Sequence, residues 1–163
     1  MVSETKKKIM KKYVNLKNEH YLFVIYNKYT KKFLTYYNKK WDCYFLINAK
    51  KESKSLKNMV DDFLNVLNID NERLKNIVYL KALKFSRYCI PEKREKKYTH
   101  SYWQVLIDDF SEQETGIVFG RNGIRYKWLT LDEMINDKKI YSKNKEVIEH
   151  LREIVNGYRF IKE

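Results

Sequence analysis

Oxygen-bearing side chains on one predicted helix are the residues whose types and spacing best suit chemistry. Over residues 53–68, apolar positions recur at intervals of three and four, which predicts an amphipathic helix capped by Ser53 or Ser55. Asp61, Asp62 and Asn65 lie toward its polar side, and Asn65 can share a face with Asp62 because it follows three residues later. A solvated helix face beside many lysines accounts for this acidic pair without any chemistry.

Other chemistry-bearing residues lack the spacing that familiar sites require. No two of the three histidines have the spacing of metal ligands, and no serine stands in a G-x-S-x-G nucleophile elbow. Cys89 has apolar neighbours and no histidine close in sequence, which disfavours a cysteine nucleophile. Asp108 and Asp109, at the end of a predicted strand, either bind a metal or face solvent.

Aromatic residues form a second candidate set. The group of Trp41, Tyr44, Tyr102 and Trp103 could include a stacking platform for a base, although such side chains also fill the core and its rim. His100, in the same predicted strand as Tyr102, either approaches a ligand or is a half-buried, hydrogen-bonded histidine.

Alternation and short apolar runs predict the elements that must position these side chains. Strands are expected at 20–27, 33–37, 42–47, 77–90, 98–110, 116–119 and 125–129, with a hairpin turn at 120–123. Thr130 and Glu133 fit a capping box, which predicts a short helix over 131–137. A last helix is expected over 144–156, ended by Gly157 in the left-handed conformation. This order predicts an α/β domain with a mixed sheet flanked by helices.

Residues 41–70 resemble the Nudix box, a loop, helix and loop with the signature G-x5-E-x7-REUxEExGU, where U is hydrophobic. The register that best fits the apolar positions places Phe63 at the first U. Asp62 then matches the first helical glutamate, whereas Asn65 and Val66 occupy the metal-binding glutamate pair. Asn68 replaces the second glycine.

The remaining box positions also depart from the family pattern. Asp61 stands at the arginine, Ile47 at the first glycine, and Ser53 at the early glutamate, one residue after Glu52. The resemblance nevertheless extends over residues 20–153, because RYKWLTLDEM and KNKEVIEHLREI resemble the strand, turn and terminal helix that close a Nudix domain. It implies a Nudix-like α/β/α sandwich.

In the Nudix superfamily, helical glutamates hold divalent cations against a diphosphate, and the metals activate water. The resemblance therefore implies Mg²⁺ or Mn²⁺ if the chain is active, with Asp62 and Glu52 as remaining metal ligands and Asn58 or Asn65 as neutral ones. Glu52, Asp61 and Asp62 are the corresponding catalytic candidates. Neutral amides bind a hard dication more weakly than carboxylates do.

Composition limits the setting and the partners. The 163 residues predict a basic N-terminal lead over 1–17 and one Nudix-like domain over 18–163. The net charge of +13 and the 14 tyrosines favour a nucleic-acid partner, but A/T-rich codons would enrich the same residue types. Two isolated cysteines, no secretory leader and no apolar run long enough for a membrane span predict a cytoplasmic protein without a membrane partner.

These observations predict a degenerate Nudix-like domain, catalytically inactive or weak, that binds a nucleotide, a phosphorylated ligand or nucleic acid. The residues expected at the ligand are Trp41, Tyr44, Asn65, His100 and Tyr102. One alternative is a divergent, magnesium-dependent Nudix pyrophosphohydrolase acting on nucleoside diphosphate derivatives. Another is a protein-interaction or assembly module on a Nudix scaffold.

Overall fold

The computed structural model describes residues 19–52, 54–89, 93–108, 110 and 116–162. Their buried hydrophobic side chains form two core clusters, one on each face of a single sheet. The predicted basic lead, Ser53 and Asp109 lie outside the described residues, as do the side chains of Arg87 and Cys89.

The described residues form a sheet of eight strands: β1 (Glu19–Val24), β2 (Tyr26–Asn27), β3 (Lys32–Asn38), β4 (Cys43–Lys50), β5 (Leu74–Cys89), β6 (Arg94–Ile107), β7 (Ile117–Phe119) and β8 (Arg125–Thr130). Their spatial order is β5-β6-β1-β4-β3-β8-β7, with the short β2 paired to β3. Only β1 and β6 run parallel among the described pairs, so the sheet is mixed, as predicted. The predicted strand over 20–27 is two strands, and only β2 makes the expected hairpin with β3.

In the described part of the chain, three α-helices cover the two faces: α1 (Leu56–Val66) on one, and α2 (Leu131–Asn136) with α3 (Lys138–Val155) on the other. Side chains alternate along β6, so Tyr102 lies in the α2–α3 layer whereas Val105 lies in the α1 layer. The predicted α/β/α sandwich is confirmed by this arrangement. No helix in the described part of the chain is long and apolar enough to cross a membrane.

The capping box at the start of α2 is present as predicted. The Thr130 hydroxyl accepts a hydrogen bond from the Glu133 amide at 3.1 Å, and the Glu133 carboxylate accepts one from the Thr130 amide at 3.2 Å. Asp137 then caps α3 by accepting from the amides of Lys139 and Ile140.

The last helix is present as predicted after a kink at Asn144, where the backbone leaves helical geometry and the side chain donates to the Ile140 carbonyl at 3.1 Å. A helical segment that starts at Lys138 precedes the kink. One prediction about the end of this helix is wrong. Gly157 does not take a positive φ; its amide bonds the Ile154 carbonyl at 3.0 Å, and the chain turns so that Phe160 enters the core.

Candidate functional site

The helix that resembles the Nudix box, α1, is fixed at both ends by local hydrogen bonds. The Ser55 hydroxyl caps its start by accepting from the Asn58 amide at 3.2 Å. At its end, Asn68 has a φ of 58° and Ile69 donates to the Leu64 carbonyl at 2.9 Å, which closes the helix in a Schellman motif. The left-handed conformation at Asn68 is one that glycine adopts at low cost, and this is the position of the second glycine in the box register.

One face of α1 is buried against the sheet, and the other presents the candidate metal ligands. Met59, Val60 and Leu64 are buried. Asp62 is exposed and forms a salt bridge with Lys54, whose ammonium lies 2.8 Å from the carboxylate oxygen. Glu52 is also exposed, on the segment that leads into the helix.

Arg121 contacts the same helix at its C-terminal end. It lies in the β7–β8 hairpin turn, and its backbone amide donates to the Val66 carbonyl at 2.9 Å. Its guanidinium donates to the side-chain oxygens of Asn68 at 2.7 Å and Asn65 at 3.4 Å. A cation at this end of a helix is favourable because the carbonyl dipoles leave partial negative charge there.

The predicted ligand-binding residues do not gather in one cleft. Tyr102 is 0 % exposed, and its hydroxyl donates to the Val147 carbonyl of α3 at 2.8 Å. Burial raises the pKa of Tyr102 far above its ordinary value. His100 packs edge-on against Phe85 at 5.0 Å, within the β1–β6–β5 part of the sheet. These placements argue for structural roles at both positions.

Trp41 lies in the turn between β3 and β4, and Tyr44 lies in β4, where its ring contacts a cation. Trp41 is half-buried, with its ring 6.1 Å from that of Phe45. The Lys127 ammonium lies 5.6 Å from the centre of the Tyr44 ring, and Tyr44 contacts Tyr37 at 5.4 Å.

Four residues on strands β3, β4 and β8 form what we call the tyrosine–cation face: Tyr37, Tyr44, Arg125 and Lys127. The Arg125 guanidinium lies 4.4 Å from the centre of the Tyr37 ring, within the range of a cation–π interaction. Because Arg125 and Lys127 are two residues apart on one strand, they lie on the same side of the sheet. The alternation of Arg125 and Lys127 in RYKWL indicates two cations on one side of a strand, but these residues were not among the predicted site residues.

Asp42 supports this face from the β3–β4 turn. Its carboxylate accepts hydrogen bonds from Lys139 Nζ at 2.6 Å and from the Tyr37 hydroxyl. The Lys139 bond, followed by the tyrosine bond, lowers the pKa of Asp42, and the carboxylate in turn raises the pKa of Tyr37.

Solved structures with the same architecture cover most of the chain at low sequence identity. The Escherichia coli dihydroneopterin triphosphate pyrophosphohydrolase matches with a TM-score of 0.57 and 17% identity, over 86% of this chain and 97% of that one. A NUDIX hydrolase from Nitrosomonas europaea gives 0.56 and 16%, over 88% and 91%. The Caenorhabditis elegans Ap4A hydrolase gives 0.51 and 14%, over 85% and 96%. The chain has a Nudix-like fold. No protein-family model and no curated protein sequence matches it.

The Nudix-like fold implies Mg²⁺ or Mn²⁺, and the donors on α1 do not fit that requirement. Asp62 is engaged by Lys54, and Asn65 is neutral and faces the Arg121 guanidinium. Val66, which occupies the second position of the glutamate pair, has no oxygen to offer. Within the described ranges, no three His, Cys, Asp or Glu side chains gather as a metal site. Two protein cations thus flank the positions where the family places carboxylates around metal ions.

Proposed function

We propose that this Nudix-like domain binds a phosphate-bearing ligand (a nucleotide, a phosphorylated small molecule or nucleic acid) and hydrolyses it weakly or not at all. The observation that carries the proposal is the pairing of α1 with the protein's own cations, Lys54 on Asp62 and Arg121 on Asn65. A dication placed beside Asp62 and Asn65 would meet the Lys54 ammonium and the Arg121 guanidinium, and one of its two ligands would be a neutral amide, so its binding would be weak.

The tyrosine–cation face supports the binding half of the proposal. Arg125 and Lys127 supply positive charge for phosphate oxygens, and Tyr37 and Tyr44 supply rings next to those charges. The name of one structural neighbour, the dihydroneopterin triphosphate pyrophosphohydrolase, refers to a phosphate ester, which is consistent with a scaffold suited to such ligands.

Hydrolysis is tested by following phosphate and nucleotide products from ATP and ADP-ribose with Mg²⁺ or Mn²⁺. We expect turnover equal to that of a buffer blank or only slightly above it, and no difference between the wild type and Asp62→Asn. Metal-dependent turnover that Asp62→Asn abolishes would establish the alternative, an active pyrophosphohydrolase that retains a carboxylate metal site.

Binding is tested by fluorescence anisotropy with labelled ADP and a labelled single-stranded oligonucleotide, with and without a chelator. We expect chelation to leave the affinity unchanged and added salt to weaken it. The double change Arg125→Gln and Lys127→Gln should weaken binding by about tenfold, since two charge-assisted contacts are removed. Lys84→Gln with Lys97→Gln, the same loss of two charges at exposed positions of β5 and β6, is the matched control. If neither probe binds, the proposal is refuted, and a protein-interaction module becomes the favoured function.

A further inference from the structure

A large cavity lies at the end of β6, apart from both α1 and the tyrosine–cation face. Its volume is about 670 Å³, within the range of roughly 300–1,000 Å³ that small-molecule sites occupy. Its walls come from the end of β6, the start of β5, the loop after β2 and the C-terminal tail. None of its lining residues belongs to the helix or the face already described.

The lining combines positive charge with aromatic surface. Lys28, Lys75 and Lys162 line the cavity, against a single carboxylate from Asp108. Among the described residues, none of these ammonium groups forms a salt bridge. These three positive charges around one concavity, none of them neutralised by a salt bridge to a described residue, favour an anionic ligand.

An exposed aromatic ring completes the set of recognition groups. Tyr29 is 55 % exposed, and the Lys28 ammonium lies 5.1 Å from the centre of its ring. Tyr26 and Phe110 also line the cavity, but their rings are engaged, Tyr26 by Phe160 at 5.1 Å and Phe110 by Trp128 at 5.3 Å. Of these three rings Tyr29 is the exposed one, so it is the best placed to stack on a planar group.

The wall formed by the tail is built into the fold. Gln104 is 1 % exposed, and its side chain both donates to the Ile161 carbonyl at 2.7 Å and accepts from the Ile161 amide at 2.9 Å. Phe160, next to it, is buried in the α2–α3 layer. This two-bond clamp holds Lys162 beside the cavity before any ligand arrives, so less conformational entropy is lost on binding.

We propose that this cavity is a binding site for a small phosphorylated ligand with a planar ring, of the size of a nucleoside monophosphate or diphosphate. The lysines contact the phosphate, Tyr29 stacks on the ring, and the Asp108 carboxylate accepts from a hydroxyl or amino group of the ligand. The site goes beyond the proposed function, because it requires neither α1 nor the tyrosine–cation face.

The test is an amide NMR titration with AMP and ADP, in parallel with calorimetry. Binding at this site predicts shifts at residues 26–29, 104–108 and 161–162, and an affinity for ADP that falls at least tenfold in the double variant Lys75→Gln and Lys162→Gln. Lys145→Gln, an exposed lysine of α3, should not change it. Tyr29→Leu, also at an exposed position, should weaken ADP binding while leaving inorganic phosphate binding unchanged.

The outcomes separate this inference from the proposed function. If ADP shifts residues around Tyr37 and Arg125 while the cavity residues stay fixed, the cavity proposal is overturned and the proposed function stands. If the cavity shifts but Arg125→Gln with Lys127→Gln affects no ligand, the cavity is supported and the tyrosine–cation face is not a binding site. Absence of any shift with either nucleotide overturns the cavity proposal, whatever an oligonucleotide does.

Discussion

Replacing Tyr102 by phenylalanine tests whether this residue holds the fold together or contacts a ligand. The substitution keeps the ring in the core and removes only the hydroxyl, which donates to the Val147 carbonyl at 2.8 Å. A hydrogen bond of this kind contributes about 0.5–1.5 kcal/mol net, so we expect a loss of about 1 kcal/mol at neutral pH. With a urea slope of about 2 kcal/mol/M, the unfolding midpoint should fall by about 0.5 M.

The pH dependence of the stability difference between wild type and Tyr102→Phe tests the burial of Tyr102 more specifically than the difference at neutral pH. Burial raises the pKa of Tyr102 in the folded chain above the value of about 10 in the unfolded chain. Stability from this group is therefore complete below pH 10 and declines above it, because the unfolded chain then releases a proton that the folded chain keeps. At pH 11 the decline amounts to about 1.4 kcal/mol, which exceeds the hydrogen-bond gain. The two stability curves should cross between about pH 10 and 11.

Urea unfolding followed by circular dichroism from pH 7 to 11 measures both quantities. Tyr158→Phe is the matched control, since Tyr158 is 92 % exposed and the same deletion of a hydroxyl should change stability by less than about 0.5 kcal/mol. A constant difference between wild type and Tyr102→Phe across this range would refute the burial argument. Unchanged stability with weakened ADP binding would instead restore the predicted ligand role.

Three further predictions concern local structure and charge. Asn68→Ala should lower the free energy of unfolding by about 1 kcal/mol relative to Asn68→Gly, because glycine adopts the positive φ there at lower cost than alanine. Urea unfolding measures this difference, and both variants lack the Asn68 side-chain contacts. Thr130→Ala should cost about 1 kcal/mol in the same assay, whereas Thr130→Ser should retain the cap. Lys139→Gln should raise the pKa of Asp42 toward its usual value in a carboxyl NMR titration. In the wild type, Asp42 stabilises the fold fully above the ordinary carboxyl pKa, and this stabilisation is lost as the pH falls through the lowered pKa of Asp42. In Lys139→Gln the loss should therefore occur at a higher pH. An unchanged pKa of Asp42 would contradict the role assigned to Lys139.

Local patterns were sufficient to predict the scaffold. The apolar spacing predicted α1, and the threonine and glutamate three residues apart predicted the capping box, since both signals lie within one or two helical turns. The serial order of strands and helices predicted the mixed sheet and its two covering layers. These features depend on neighbours in sequence, which a single chain displays directly.

The cation beside α1 and the burial of Tyr102 depend on contacts between distant segments, which leave no local signal in the sequence. Arg121 reaches Asn65 across 56 residues, and nothing near Asn65 in the sequence indicates a cation there. The sequence around Tyr102 is compatible with a stacking residue. Tyr102 is buried because its side chain lies on the face of β6 that the α2–α3 layer covers. The alternation of a strand gives two faces without saying which of them becomes core.

The parallel pairing of β1 with β6 has a consequence for how the chain is made. Glu19 must pair with Thr99, which leaves the ribosome about 80 residues later. At a synthesis rate of about 5–20 residues per second, this edge of β1 waits about 4–16 s for its partner, even after β4 has closed the other edge. A nascent chain would expose the Leu22–Val24 end of β1 as an open strand edge during that interval, which is when a chaperone would be most needed.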